Sequence, residues 1–277
     1  MYTKVVVPLD CSPLAEVALP YAEEIAGKMG SDIVLLTVLS SEESEEIQNH
    51  LAYSKKMVSS TRLQVKKYLE DARETGISIG TATRTGSAAE GILEYADKGY
   101  PCLIVMATHG RSGISRWAVG SVADKVIKST SKQPLLLVRA KGAHPDVRAK
   151  RILKKAIVPL DGSSASESVL PYIGEIARNL EMDITLLRVT SKKDKITEVE
   201  SYLRNWCQRL AEDGISAGYE VRKGNAAEQI IEYADETATD LIAMTTRGQS
   251  SLNLFSLGSV AQKILMDGNS PLFLVRA

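Results

Sequence analysis

Cysteine is scarce in this 277-residue chain. Cys11, Cys102 and Cys207 stand far apart with no C-x-x-C spacing, which excludes a disulfide framework and a cysteine zinc cluster and reads as reduced thiols. A surplus of either charge is missing too: 34 Lys and Arg face 34 Asp and Glu. The balance gives no reason to expect nucleic acid or an anionic membrane as a partner. No apolar run approaches membrane-spanning length. The chain enters a strand at Lys4 without the basic, apolar and small-residue order of a signal peptide. The expectation is a cytoplasmic protein.

Several catalytic signatures are also absent. The chain has no G-x-x-x-x-G-K-S/T loop, no G-x-S-x-G elbow, no H-E-x-x-H helix and no G-x-G-x-x-G after a strand. His50, His109 and His144 are its only histidines, and none has an evident Asp or Ser partner in the sequence. The reading is a protein that is not an enzyme. It leaves room for slow hydrolysis, with no base to name.

What is present is a globular composition, 44% hydrophobic and 25% charged, in a chain long enough for two ordinary domains. The sequence repeats. Val7-Pro8-Leu9-Asp10 returns as Val158-Pro159-Leu160-Asp161, and Leu19-Pro20-Tyr21 as Leu170-Pro171-Tyr172. Gly86-Ser87-Ala88-Ala89-Glu90 returns as Gly224-Asn225-Ala226-Ala227-Glu228, at a smaller offset. Gly120-Ser121-Val122-Ala123 returns as Gly258-Ser259-Val260-Ala261, and Leu137-Val138-Arg139-Ala140 as Leu274-Val275-Arg276-Ala277. Matches in the same order across both halves mean duplication, with the second copy shorter in the middle. The expected domains are residues 1–140 and 154–277, with 141–153 as linker.

In each copy, short β-branched or leucine-rich runs alternate with longer helical patterns in the order β-α-β-α-β-α-β-α-β. The first copy places strands at Lys4 to Leu9, Asp32 to Leu39, Ser78 to Thr83, Leu103 to Ala107 and Leu135 to Arg139. The second places them at Ala156 to Leu160, Asp183 to Val189, Ala217 to Val221, Leu241 to Thr245 and Leu272 to Arg276. The fold class is α/β: two tandem doubly wound domains, each a five-stranded parallel sheet with helices on both faces. The last strand of each copy is an apolar edge that needs cover or pairing.

The most informative stretch is Ala107-Thr108-His109-Gly110-Arg111-Ser112-Gly113, followed by Gly120-Ser121 opening a helix. It leaves a strand at the sheet end where open α/β folds bind ligands. Glycines there let backbone N–H groups approach a phosphate, and the helix N-terminus adds positive potential. Ser121 with Asp124, and Ser259 with Gln262, equally fit a capping box. Asp10, before Ser-Pro, reads by itself as an N-cap or Asx turn.

These residues together resemble a tandem universal stress protein over essentially the whole chain. The P-x-D-x-S opening appears as Pro8-Leu9-Asp10-Cys11-Ser12 and as Pro159-Leu160-Asp161-Gly162-Ser163. The family's G-x-x-G, nine residues, G-S loop appears as Ala107-x-x-Gly110 to Gly120-Ser121 and as Thr245-x-x-Gly248 to Gly258-Ser259. Alanine and then threonine stand where that pattern has its first glycine; the branched threonine is the larger departure and makes the second loop the weaker of the two.

The resemblance implies a Rossmann-like, adenine nucleotide alpha hydrolase-like fold and an ATP-binding stress-response protein. AMP or ADP are alternative occupants, and Mg would accompany the nucleotide. Asp10 would lie near the ribose, with Pro8 and Ser12 in its motif, and Val38 would meet adenine. Ala107, His109, Gly110, Arg111, Gly113, Gly120 and Ser121 would surround the phosphates, and Asp161, Val189, Gly248, Gly258 and Ser259 would be the counterparts. The better site falls in the first domain, and the other reading is an interaction module without nucleotide in one or both domains. The resemblance also implies intramolecular pairing of the two domains through their edge strands, with a homodimer as further association.

Overall fold

A computed structural model describes residues 2–40, 47–68, 76–98, 101–110, 119–130, 133–139, 151–192, 194–248 and 257–276. The chain divides into two compact units, Met1–Ile152 and Leu153–Ala277, a division that falls at the end of the expected linker. Residues 141–150 of that linker lie outside the described residues. Ile152, at 6% exposure, donates its N–H to both oxygens of the buried Glu24 carboxylate.

The first unit runs β1 (Lys4–Pro8), α1 (Pro13–Glu16), α2 (Leu19–Met29), β2 (Asp32–Leu39), α3 (Ile47–Val65), β3 (Ile79–Thr85), α4 (Ala88–Ala96), β4 (Cys102–Ala107), α5 (Ser121–Ser129) and β5 (Leu135–Val138). The second runs β6 (Lys155–Pro159), α6 (Ser164–Glu167), α7 (Leu170–Leu180), β7 (Asp183–Thr190), α8 (Ile196–Glu212), β8 (Ala217–Lys223), α9 (Ala226–Glu236), β9 (Leu241–Thr245), α10 (Ser259–Asp267) and β10 (Leu272–Val275). All ten strands expected from sequence are present, within two residues at each end. Leu9 and Leu160 fall just past their strands, yet their N–H groups still donate to Leu36 and Leu187 and extend the ladder.

Within the first unit the strand order is β3-β2-β1-β4-β5, and within the second β8-β7-β6-β9-β10. The ladders inside each unit are parallel, with Lys4 opposite Asp32 and Lys155 opposite Asp183. The chain winds one way through β1, β2 and β3, then back through β4 and β5. Right-handed crossovers therefore place α2 and α3 on one face and α4 and α5 on the other, in agreement with the packing of α2 on α3 and α4 on α5. The winding reverses between β1 and β4, and between β6 and β9, which opens a crevice at their carboxyl ends.

Burial follows the order. Every residue of the inner strand β4 is buried. The expectation that all strands are covered on both faces fails at β3 and β8, which are half-buried or exposed along their length. Each stands at one edge of its sheet, and their Gly, Thr, Arg, Glu and Lys content is what an edge tolerates.

Candidate functional site

The crevice of each unit is a cavity built by the same elements. In the first unit it measures about 150 Å³, and Pro8, Asp10, Val38, Ala107, His109, Gly110, Gly120 and Ser121 line it together. In the second it measures about 380 Å³, and Asp161, Val189, Gly248, Gly258 and Ser259 all line it. These are the residues expected from sequence. Ser12 stands one step behind, bonded to Asp10. Arg111 and Gly113 lie outside the described residues.

The aspartates are placed by their own motif. Asp10 Oδ1 accepts from the N–H of Ser12 at 3.0 Å and from its hydroxyl at 2.6 Å, while Ser12 Oγ accepts from Ala15 N–H to cap α1. Asp161, Ser163 and Ser166 repeat the arrangement at 3.0, 2.5 and 3.1 Å. The Asx turn foreseen for Asp10 is therefore real, and Ser12 rather than Asp10 is the cap. The turn also aims the second carboxylate oxygen across the crevice. A Cβ added to Gly110 would stand 2.1 Å from Asp10 Oδ2, and one added to Gly248 2.2 Å from Asp161 Oδ2. Glycine is needed in both loops because the carboxylate passes over the backbone there, whether or not a ligand is bound.

The second glycine is fixed by backbone. Gly120 donates its N–H to Thr108 O at 2.8 Å, and a Cβ there would sit 2.9 Å from that oxygen. Gly258 does the same with Thr246 O at 2.8 Å and 3.1 Å. This contact ties the strand end to the first turn of α5 and α10. Gly120 and Gly258 are the N-caps, and no side chain caps either helix. The capping-box expectation for Ser121 and Ser259 is thereby corrected. Both serines sit one residue inside the helix, at its first position rather than at the cap. The first-turn amides of a helix have no intrahelical acceptor, and here Ser121, Val122 and Ala123, like Ser259, Val260 and Ala261, border the cavity. The arrangement suits an anion.

The loops differ in detail. Thr108 Oγ1 and His109 Nδ1 are 3.0 Å apart, and His109 Nε2 is buried with no partner among the described residues. In the second unit Thr245, 2% exposed, donates its hydroxyl to the Arg247 carbonyl. Thr245 therefore braces its own loop while also lining the second cavity.

The expected set lacked the apolar walls: Leu36 and Ile92 in the first cavity, and Leu187 and Ile230 in the second, each with a methionine, Met106 or Met244. The duplication carried a signal for part of this wall, because Ala88 and Ala226 both lie in the matched Gly-x-Ala-Ala-Glu segment and both line their cavities. The isoleucines read only as the apolar face of a helix.

Two consecutive doubly wound units, each with a β1–β4 type crevice bordered by an uncapped helix N-terminus, define a tandem α/β protein. The universal stress protein family model matches residues 1–139 and 153–276, and the chain belongs to that family. It is 32% identical to universal stress protein MJ0531 of Methanocaldococcus jannaschii over 147 residues, spanning 50% of this chain and 83% of that protein. It is 22% identical to universal stress protein Slr1230 of Synechocystis over 291 residues, covering 96% of this chain and 97% of that one. A universal stress protein structure from Archaeoglobus fulgidus superposes with a TM-score of 0.72 at 19% identity, covering 100% of this chain and 99% of the other.

Proposed function

We propose that this protein binds an adenine nucleotide, ATP foremost, with Mg arriving on the phosphates, and acts in the cytoplasm as a nucleotide-dependent stress-response protein. The observation that carries the reading is the pair of uncapped helix N-termini facing a cavity, each held to the preceding strand by a glycine that has no room for a side chain. Gly110, Gly120 and Ser121, with His109 Nε2 beside them, would take the phosphates; Asp10 would take ribose hydroxyls; Val38, Leu36 and Ile92 would enclose the base. Asp161, Val189, Gly248, Gly258 and Ser259 would do the same in the second unit. Binding without efficient turnover fits the single carboxylate that lines each crevice among the described residues.

The two cavities rank differently by different measures. The loop sequence favours the first, whose departure is only Ala107. Room favours the second, whose 380 Å³ lies within the roughly 300–1,000 Å³ of small-molecule sites, while 150 Å³ lies below it. The second reading, an interaction module without nucleotide, is favoured for the first unit by that small volume.

Calorimetric titration of nucleotide-stripped protein with magnesium ATP and with AMP tests both readings. Two sites per chain are expected. Ser121→Ala and Ser259→Ala, which remove hydroxyls that cap nothing, should each weaken one site. Gly120→Val and Gly258→Val should each weaken one site by about 100-fold, or ~2.7 kcal/mol. Absence of binding to the parent protein would refute the proposal. One site, lost in Gly258→Val and kept in Gly120→Val, would establish the second reading for the first unit.

A further inference from the structure

Next to Asp10 of the first crevice, two side chains meet that do not line its cavity and that the second copy does not have. Cys11 Sγ lies 3.2 Å from His50 Nδ1. Cys11 follows Asp10 in the opening motif, and His50 sits in the first turn of α3 at 7% exposure. The matching positions are Gly162 and Val199. The register of the helices is fixed by Tyr53 and Tyr202, which donate to Glu16 and Glu167 from equivalent positions. Both departures thus fall on the two residues that touch.

The cysteine is held there against backbone preference. Its φ is +64°, and Gly162 at the same turn has φ +80°. A left-handed turn favours glycine, so the fold alone gives no reason for a cysteine at this position. Cys11 is partly exposed, whereas Cys102 is buried at 2% exposure. Cys102 donates to the Ala96 carbonyl, and burial pushes its thiol up to about 11. Burial also raises the Cys207 thiol. Tyr53, one turn along α3 from His50, has its ionisation opposed by burial first, then by Glu16, Cys11 and Asp10. Glu16, Cys11 and Asp10 therefore lie within electrostatic reach of this helix face, and the 3.2 Å contact puts the imidazole within proton-transfer distance of the thiol.

We propose that Cys11 is a modification site, a thiol activated by His50 for attack on small hydroperoxides. The thiol proton passes to His50 Nδ1, and the sulfur attacks one peroxide oxygen. The S–O bond forms as the O–O bond breaks, and the departing oxygen takes the proton back from His50. The cysteine is oxidised by two electrons to the sulfenic acid, and the hydroperoxide is reduced to water or an alcohol. The inference does not depend on nucleotide binding.

Exposure of the full chain to hydrogen peroxide, with a 1,3-diketone trap and peptide mass spectrometry, tests it. Cys11 should be trapped about tenfold faster than Cys207 in the same molecules, and Cys102 slowest. His50→Val, which installs the residue of the second copy, should lower the Cys11 rate about tenfold and leave the Cys207 rate unchanged. A Cys11 rate equal to that of Cys207 in the parent protein overturns the proposal, and this ratio is read without any variant. So does a His50→Val protein whose Cys11 reacts as fast as before. If that variant opens the fold, Cys102 labelling rises with it, and the parent ratio then decides.

Discussion

The two units hold one frame and fill it differently. Shared features are those that position the crevice: the Asx turn of Asp10 and Asp161, the glycine under each carboxylate, and the backbone contact at Gly120 and Gly258. Other paired features repeat as well. Tyr53 and Tyr202 bond Glu16 and Glu167, and Arg84 and Arg222 lie over the rings of Tyr95 and Tyr233 at 5.2 and 4.8 Å. The differences gather behind the opening motif and between the helices. Where the first unit has Cys11 against His50, the second has Gly162, whose missing side chain leaves the Arg188 guanidinium 3.5 Å from the vacant Cβ position. Arg188 bonds the Leu160 carbonyl and pairs with Asp194. The Ser191 backbone N–H and hydroxyl, then Arg188, hold the Asp194 carboxyl below its usual range. Duplicated scaffolds can thus keep the frame of a crevice while the turn next to it takes up different side chains.

The largest expected difference between the units is in their response to pH. Glu23 on α2 is 5% exposed, and burial raises its carboxyl to about 7, with Thr61 and Lys67 pulling the other way. The matching residues of the second unit are Gly174 and Leu210, which pack with Ile215 in an apolar contact. A carboxyl with a raised folded-state value binds its proton more tightly when folded. Its stabilisation is therefore complete below the unfolded value near 4.5 and is lost as pH rises through about 7. Over that window the first unit should lose up to about 3 kcal/mol, and the second little from this source. Hydrogen exchange of the two units at pH 5.5 and pH 8 measures this directly. Glu23→Gln should flatten the first unit's profile. Equal slopes in both units of the parent protein would break the comparison.

The glycine under the carboxylate should show no difference between units. Gly110→Ala and Gly248→Ala each press a methyl into an aspartate, and each should cost its own unit roughly 1–3 kcal/mol, as overpacking does. Asp10→Ala should remove most of the penalty of Gly110→Ala, and a double-mutant cycle reads the coupling. Penalties that survive the loss of the aspartate would show that the glycine serves something other than that close approach.

The fold was legible in the sequence almost entirely, because the duplication displayed each element twice and alternation with continuous apolar runs located every strand. Edge strands β3 and β8 were located too, but their exposure depends on strand order, which local composition does not state. The site was legible as far as it rests on short motifs. Asp10, Gly110 and Gly120 stand out because turns and close approaches restrict residue type. The roles of Ser121 and Thr245 were not legible. Whether a serine is the cap or the residue after it turns on one residue of helix phase, and whether a threonine crowds or braces a loop depends on its rotamer. Equally hidden was His50, which looks isolated in sequence and meets Cys11 only through the packing of α3.

The smallest effect concerns backbone strain, which the units distribute in opposite ways. The first has Cys11 at φ +64° where the second has Gly162; the second ends α7 with Glu181 at φ +54° where the first ends α2 with Gly30 at φ +67°. Cys11 and Glu181 thus each occupy the left-handed region at a position that the other unit gives to glycine, and Ala238 at φ +48° is a further such residue in the second unit. Glu181→Gly should stabilise the second unit by about 0.5–1 kcal/mol, the left-handed penalty less the entropy that glycine adds to the unfolded chain. Cys11→Gly should gain less, because it also gives up the His50 contact. Denaturant unfolding followed by unit-resolved hydrogen exchange measures both. A gain from Cys11→Gly as large as that from Glu181→Gly would mean that the Cys11–His50 contact contributes nothing to the folded state, and that the cysteine stands in its strained turn for its reactivity alone.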